Sequence, residues 1–156
     1  MSLLTPLPHL FTTTLSTYAL YLSYQNITRL RTYESQSEKA AEWSNTAADR
    51  LQRTRTTQAG STIALTLSLL TSTSLLFTSS SSSPYFPYLC LVSAAYLGAA
   101  RIHSGRFWNE KEQTRIPFLQ KFNDAVRGSE RVVQVLGLLA WTWAGIGVGG
   151  FIGGRK

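Results

Sequence analysis

Between Thr56 and Ala100 the chain has no aspartate, glutamate, lysine or arginine. At about 20 apolar residues per bilayer crossing, that stretch has room for two helices and a turn. Charge is scarce elsewhere too, at 15% of the 156 residues, against roughly 25% in typical soluble domains. The charges that exist stand in blocks, which argues against a cytosolic globular domain. Cys90 is the single cysteine, so one chain can build neither a disulfide framework nor a cysteine-based metal site.

Other absences narrow the chemistry. The two histidines, His9 and His103, have no partners at ligand spacing. There is no HExxH, GxSxG or CxxC, and no glycine-rich phosphate loop following a strand. No catalytic, cofactor-binding or metal-ligating residue is therefore assigned. No carboxylate, lysine or arginine lies in the interior of a predicted span, whereas pumps and proton-coupled carriers bury such groups along their path. The start of the chain has no basic n-region with a small-residue cleavage site, and no arginine-rich amphipathic transit pattern. The net charge of +7 would suit nucleic acid only on a basic face with stacking or groove-reading elements. Here the basic residues are interleaved with acids beside apolar stretches, so anionic lipid headgroups are the expected partner and nucleic acid is not.

What is present reads as an all-α polytopic membrane protein, a single domain over 1–156. Four transmembrane helices are expected at about 8–24, 61–78, 85–100 and 132–152. The first starts near Pro8, since proline suits a helix entrance, and ends near Tyr24, with Tyr18, Tyr21 and Tyr24 towards an interface. The second and third form a hairpin about the turn Ser79–Pro84. The second is rich in hydroxyls, including Thr62, Thr66, Ser68, Ser72 and Thr73, which can bond their own helix or a neighbour. Lining of a passive pore is a further use for them. On the third, Ala94 with Gly98 and Ala95 with Ala99 form small-xxx-small pairs.

Two charged loops separate the spans. Loop 29–55 places Glu34, Glu38 and Glu42 before Arg50, Arg53 and Arg55; Tyr33, Ala40 and Ala47 recur every seven residues, with Trp43 as the candidate anchor for a partner helix. Loop 101–131 brings Phe107-Trp108 and Ile116–Leu119 to the headgroup zone. Six lysines and arginines fall in the first loop, seven in the second and two at the C-terminus. Both loops thus belong on one face, the cytoplasmic or matrix side. The sequon Asn26-Ile27-Thr28 then abuts the basic side, where it is expected to remain unmodified.

The most specific local pattern is on the last span. Gly145, Gly149 and Gly153 recur every four residues and share one helix face, a tandem GxxxG that lets a neighbouring backbone approach closely. Gly147 and Gly150 add bare surface. The neighbour is either another helix of the same bundle or a second protein.

These features predict a non-enzymatic small subunit, or an assembly or stabilising factor, of a larger membrane complex. Its partners would be other membrane subunits, docked through Gly145, Gly149, Gly153 and Trp43. The endoplasmic reticulum is expected ahead of the mitochondrial inner membrane. The alternative is a small membrane enzyme acting on a lipophilic substrate at the basic interface, with His103 and Glu110 as acid–base groups. In the spacing of spans and loops alone, the chain resembles small four-helix fungal membrane oxygenases of anthrone-type polyketides. No motif residue of that family is matched, so the resemblance implies no site.

Overall fold

Proline opens two of the four helices. Pro8 and Pro87 stand in first turns, where the missing N–H would have had no intrahelical acceptor. The computed structural model describes residues 6–77, 83–108 and 120–153, and builds from them α1 (Leu7–Trp43), α2 (Asn45–Phe77), α3 (Phe86–Phe107) and α4 (Gln120–Gly153). The expected turn serines Ser79–Ser82 and the segment Ile116–Leu119 lie outside the described residues.

The first helix does not end near Tyr24. It runs on through the charged block to Trp43, because residues 29–43 contain neither glycine nor proline and are rich in Glu, Lys, Arg, Gln and Ala. Its 37 residues span about 55 Å at 1.5 Å per residue, well beyond an apolar bilayer core of about 30 Å. The break is one residue, Ser44, with extended φ −148° and ψ 119°. Its carbonyl accepts from the Ala48 amide at 3.0 Å as α2 begins. α1 and α2 are therefore a long antiparallel hairpin with Trp43 at the corner.

α1 packs on α2 and α4, α3 packs on the same two, and α2 meets α4 across the diagonal. Each helix turns a seven-residue pattern inward, as left-handed bundles do. On α4 the inward positions are Ser129, Val132, Leu136, Leu139 and Trp143, all buried. On α3 they are Phe86, Cys90, Ser93, Leu97 and Ser104. On α1 they are His9, Thr12, Ser16, Ala19, Ser23 and Asn26, each 5% exposed or less. The α2 seam continues that polarity with Thr57, Ser61, Ala64, Ser68 and Ser72.

Outside, the polarity is reversed. Leu10, Phe11, Tyr21, Ile63, Leu70, Val92, Leu138 and Trp141 all stand exposed. Hydrogen-bonded buried hydroxyls are found in soluble and membrane bundles alike; it is the apolar exterior that suits a membrane. Within α2, Ala48–Phe77, and within α4, Asn123–Gly153, are long and apolar enough to cross a membrane. α1 falls short through its threonines and serines, and α3 through Arg101, His103 and Arg106 near its end.

The helix order puts the Ser44 corner and the α3–α4 connection at one end of the bundle. Both basic blocks therefore share that end. Trp108 is the exception to the expected headgroup placement. It is 5% exposed and donates its indole N–H to Thr57 Oγ1 at 3.0 Å, because the last turn of α3 tucks it under α2.

Candidate functional site

α4 has two glycine faces that point in different directions. A Cβ on Gly147 would stand 3.1 Å from Leu91 and 3.2 Å from the Pro87 carbonyl, and one on Gly150 would stand 3.2 Å from the Pro87 ring. Gly105 on α3 would meet Val133 at 3.3 Å, and Gly137 would meet the Arg101 side chain at 2.7 Å. These pairs descend in step along the two antiparallel helices, so Gly105, Gly137, Gly147 and Gly150 are what lets α3 and α4 approach. Gly145, Gly149 and Gly153 have no atom within 4 Å of a Cβ built on them. The predicted tandem faces away from its own bundle. Leu138, Trp141, Val148 and Ile152 lie on the same outward side, exposed by 51–75%. The Ala94/Gly98 pair is likewise not a tight contact, since a Cβ at Gly98 meets nothing.

Trp43 is 89% exposed at the hairpin corner and far from the α4 face. The structure does not bring these two predicted contacts together. The side chains of Tyr33, Ala40 and Ala47, which would form its seam, lie outside the described residues. The hairpin itself is clamped by Arg55. Its guanidinium donates to Glu34 at 2.7 Å and to Glu38 at 2.5 Å. The hydrogen bond to Glu34, then that to Glu38, raises the Arg55 pKa and fixes its charge. At the surface such a clamp sets geometry more than stability.

The buried polar seam is the part that hydropathy alone does not reveal. At the end where α1 begins, Thr13 donates to Ser72 at 2.9 Å, Ser16 and Ser68 share a bond at 3.0 Å, and the Trp143 indole N–H donates to Ser68 at 3.0 Å. This ties α1, α2 and α4 together. At the basic end, Ser61 and Ser104 bond at 2.7 Å and Gln58 donates to Ser129 at 2.9 Å. Between the two layers lie Ala19, Leu65, Leu97, Leu136 and Leu139, all fully buried. Among the described residues no buried run of hydroxyls crosses that apolar layer. Most threonines meanwhile bond their own helix, as Thr62 does to Gln58 O and Thr66 to Thr62 O. Serines take part in most of the side-chain bonds between helices, the Trp108–Thr57 bond being an exception. The signal was present in the sequence as polar residues at 9, 12, 16, 23 and 26, a heptad pattern of the wrong polarity for a search based on apolar periodicity.

Three atoms on the α1 seam, His9 Nδ1, Ser23 Oγ and Asn26 Nδ2, are buried without a hydrogen-bond partner. His9 lies edge-on to Phe86 at 5.9 Å and beside Trp143 at 6.1 Å, a packing role at the bundle end. Asn26 lies against Gly128, where any Cβ would overlap its carboxamide.

The acid–base alternative gains no geometry. His103 is exposed on α3, and Glu110 lies outside the described residues. An open groove of about 530 Å³, lined by Leu70, Thr71, Ser74, Leu75, Tyr85, Phe86 and Leu89 among others, is at the other end of α3, about 20 Å from His103 by helical rise. Among the described residues no group of three or more His, Cys, Asp or Glu could hold a metal ion. No protein-family model matches the chain, and no curated protein or solved structure matches it.

Proposed function

We propose that the chain is a four-span integral membrane protein, and a non-enzymatic small subunit or assembly factor of a larger membrane complex. The observation that carries this reading is the outward turn of Gly145, Gly149 and Gly153. Three glycines weaken an isolated helix, and close helix approach is what offsets that cost in a membrane. The bundle makes no use of them, so the approaching helix belongs to another subunit. Exposed Trp141 and Ile152 flank the bare strip and supply side chains for such a helix to pack on.

All four helices cross in this reading. The apolar outer faces of α1 and α3 need lipid contact as much as those of α2 and α4. The two basic blocks sit on the cytoplasmic or matrix side, and the endoplasmic reticulum is favoured over the mitochondrial inner membrane. The Ser44 corner carries Trp43 clear of the bilayer as a second contact for the same complex.

Purification from native membranes in mild detergent, with mass spectrometry of what co-elutes, tests this. Stoichiometric membrane partners lost in Gly149→Leu support the reading. A lone chain or homo-oligomer, unchanged by Gly149→Leu, contradicts it.

A further inference from the structure

At the basic end α2 and α3 are bonded through Ser61 and Ser104 at 2.7 Å. Towards the other end the open groove of about 530 Å³ lies between them, within the size range of pockets that hold a drug-sized ligand. Ser83 and Tyr85 form its rim, at the expected membrane edge. Leu70, Leu75, Phe86 and Leu89 are its apolar walls, and Thr71 and Ser74 are polar points on the α2 side. The Phe86 wall is held in place: the residue is 9% exposed, and the His9 ring packs edge-on to it at 5.9 Å.

In the four-span reading this groove opens to the bilayer, so lipid fills it, and its chemistry selects the kind. No acidic or basic residue occurs between Thr56 and Ala100, so a charged headgroup would find no counter-charge there. The polar capacity on offer is hydroxyl. Thr62, Thr66 and Thr73 bond carbonyls of their own helix. Ser74, exposed on the groove wall, leaves its hydroxyl unpaired among the described residues, about 6 Å below the expected end of the second span. The groove is also short. Its α2 wall, 70–75, covers about 8 Å, whereas an acyl chain runs through half of a hydrocarbon core of about 30 Å. A chain held over part of its length gives up rotamer freedom there; a fused ring system has none to lose.

We propose that the groove binds one sterol, with its hydroxyl on Ser74 and its rings on Leu70, Phe86 and Leu89, the tail continuing into the bilayer. This rests on the four-span reading but not on the subunit role, because the groove is formed by α2 and α3 and the Gly145/Gly149/Gly153 strip by α4.

The experiment uses the full chain in phosphatidylcholine vesicles with a sterol carrying a photoactivatable diazirine on its rings, the adducts being mapped by mass spectrometry. A parallel sample carries the diazirine in the acyl chain of phosphatidylcholine and reports general lipid contact. Sterol adducts are expected within 70–75 and 85–89, displaced by excess unlabelled sterol. Ser74→Ala, a mild change at an exposed position, should weaken sterol labelling about fivefold, the scale of one neutral hydrogen bond. Leu89→Trp, which fills the groove, should abolish it, while Gly149→Leu should leave it unchanged. Equal sterol labelling in Ser74→Ala and the wild type would overturn the sterol site. So would phosphatidylcholine adducts at both segments without displaceable sterol adducts. No adducts from either probe would overturn the four-span reading and the sterol site together.

Discussion

The α1–α2 hairpin and α4 solve helix packing in opposite ways. The hairpin is held by small hydroxyls, Thr13 with Ser72 and Ser16 with Ser68 between its own two helices and Ser61 with Ser104 across to α3. α4 faces inward with Val132, Leu136, Leu139 and Trp143, and is notched with glycine where α3 approaches. Trp143 is where the two solutions meet, since its fully buried ring fills the core and its N–H bonds Ser68. In the proposed lipid setting apolar burial gives no solvent-driven gain, and dispersion and short polar bonds hold the bundle. The hairpin relies on the second and α4 on the first. The difference teaches that the inner face of such a helix is marked by small and polar residues as much as by large ones.

The sharpest way to break this comparison is at the junction. Trp143→Ala removes the largest fully buried side chain and one of the two hydrogen bonds of Ser68. It should destabilise by about 3–5 kcal/mol, read as the midpoint of thermal unfolding in detergent. Next is Gly128→Ala, where the new Cβ collides with Asn26 and the neighbouring helices must separate. A loss of about 1–3 kcal/mol is expected, and pairing it with Asn26→Ala should recover much of it. A smaller effect separates the hydroxyl half from the apolar half. Ser16→Ala loses one bond between helices, worth about 0.6 kcal/mol, a few degrees or less in the same assay.

At the small end lies Gly145→Ala. Its Cβ enters open space, so the isolated chain should be unchanged or stabilised by up to about 1 kcal/mol through helix propensity. A large destabilisation there would show that the outward face is packed after all. Last, Arg55→Gln should leave the unfolding midpoint in moderate salt unchanged, because the clamp on Glu34 and Glu38 is solvent-exposed and screened.

Helix number and approximate placement were legible in hydropathy, because uncharged runs of span length are hard to place otherwise. Helix ends were less so. Loop 29–55 was read as a separate charged element, yet helix-forming residues carry α1 through to Trp43, with Ser44 alone making the corner. The glycine tandem was legible as a face, but not the direction of that face. Both sides of α4 are apolar, so only the placement of Leu91 and Pro87 against Gly147 and Gly150 decides it. The seam His9–Asn26 was missed for a related reason: its regularity lies in polar residues. Arg101 was read as the first residue of a loop, yet it stands within α3 with its side chain against Gly137.

The central claim is that α4 presents its outward strip to another polypeptide. A photo-crosslinking amino acid placed at 149, and in a parallel sample at 139, would test it in native membranes. The expected result is a stoichiometric adduct to a different protein from 149 and only intrachain links from the fully buried position 139. Lipid adducts alone from 149 would contradict it, and would leave a solitary bundle in the membrane.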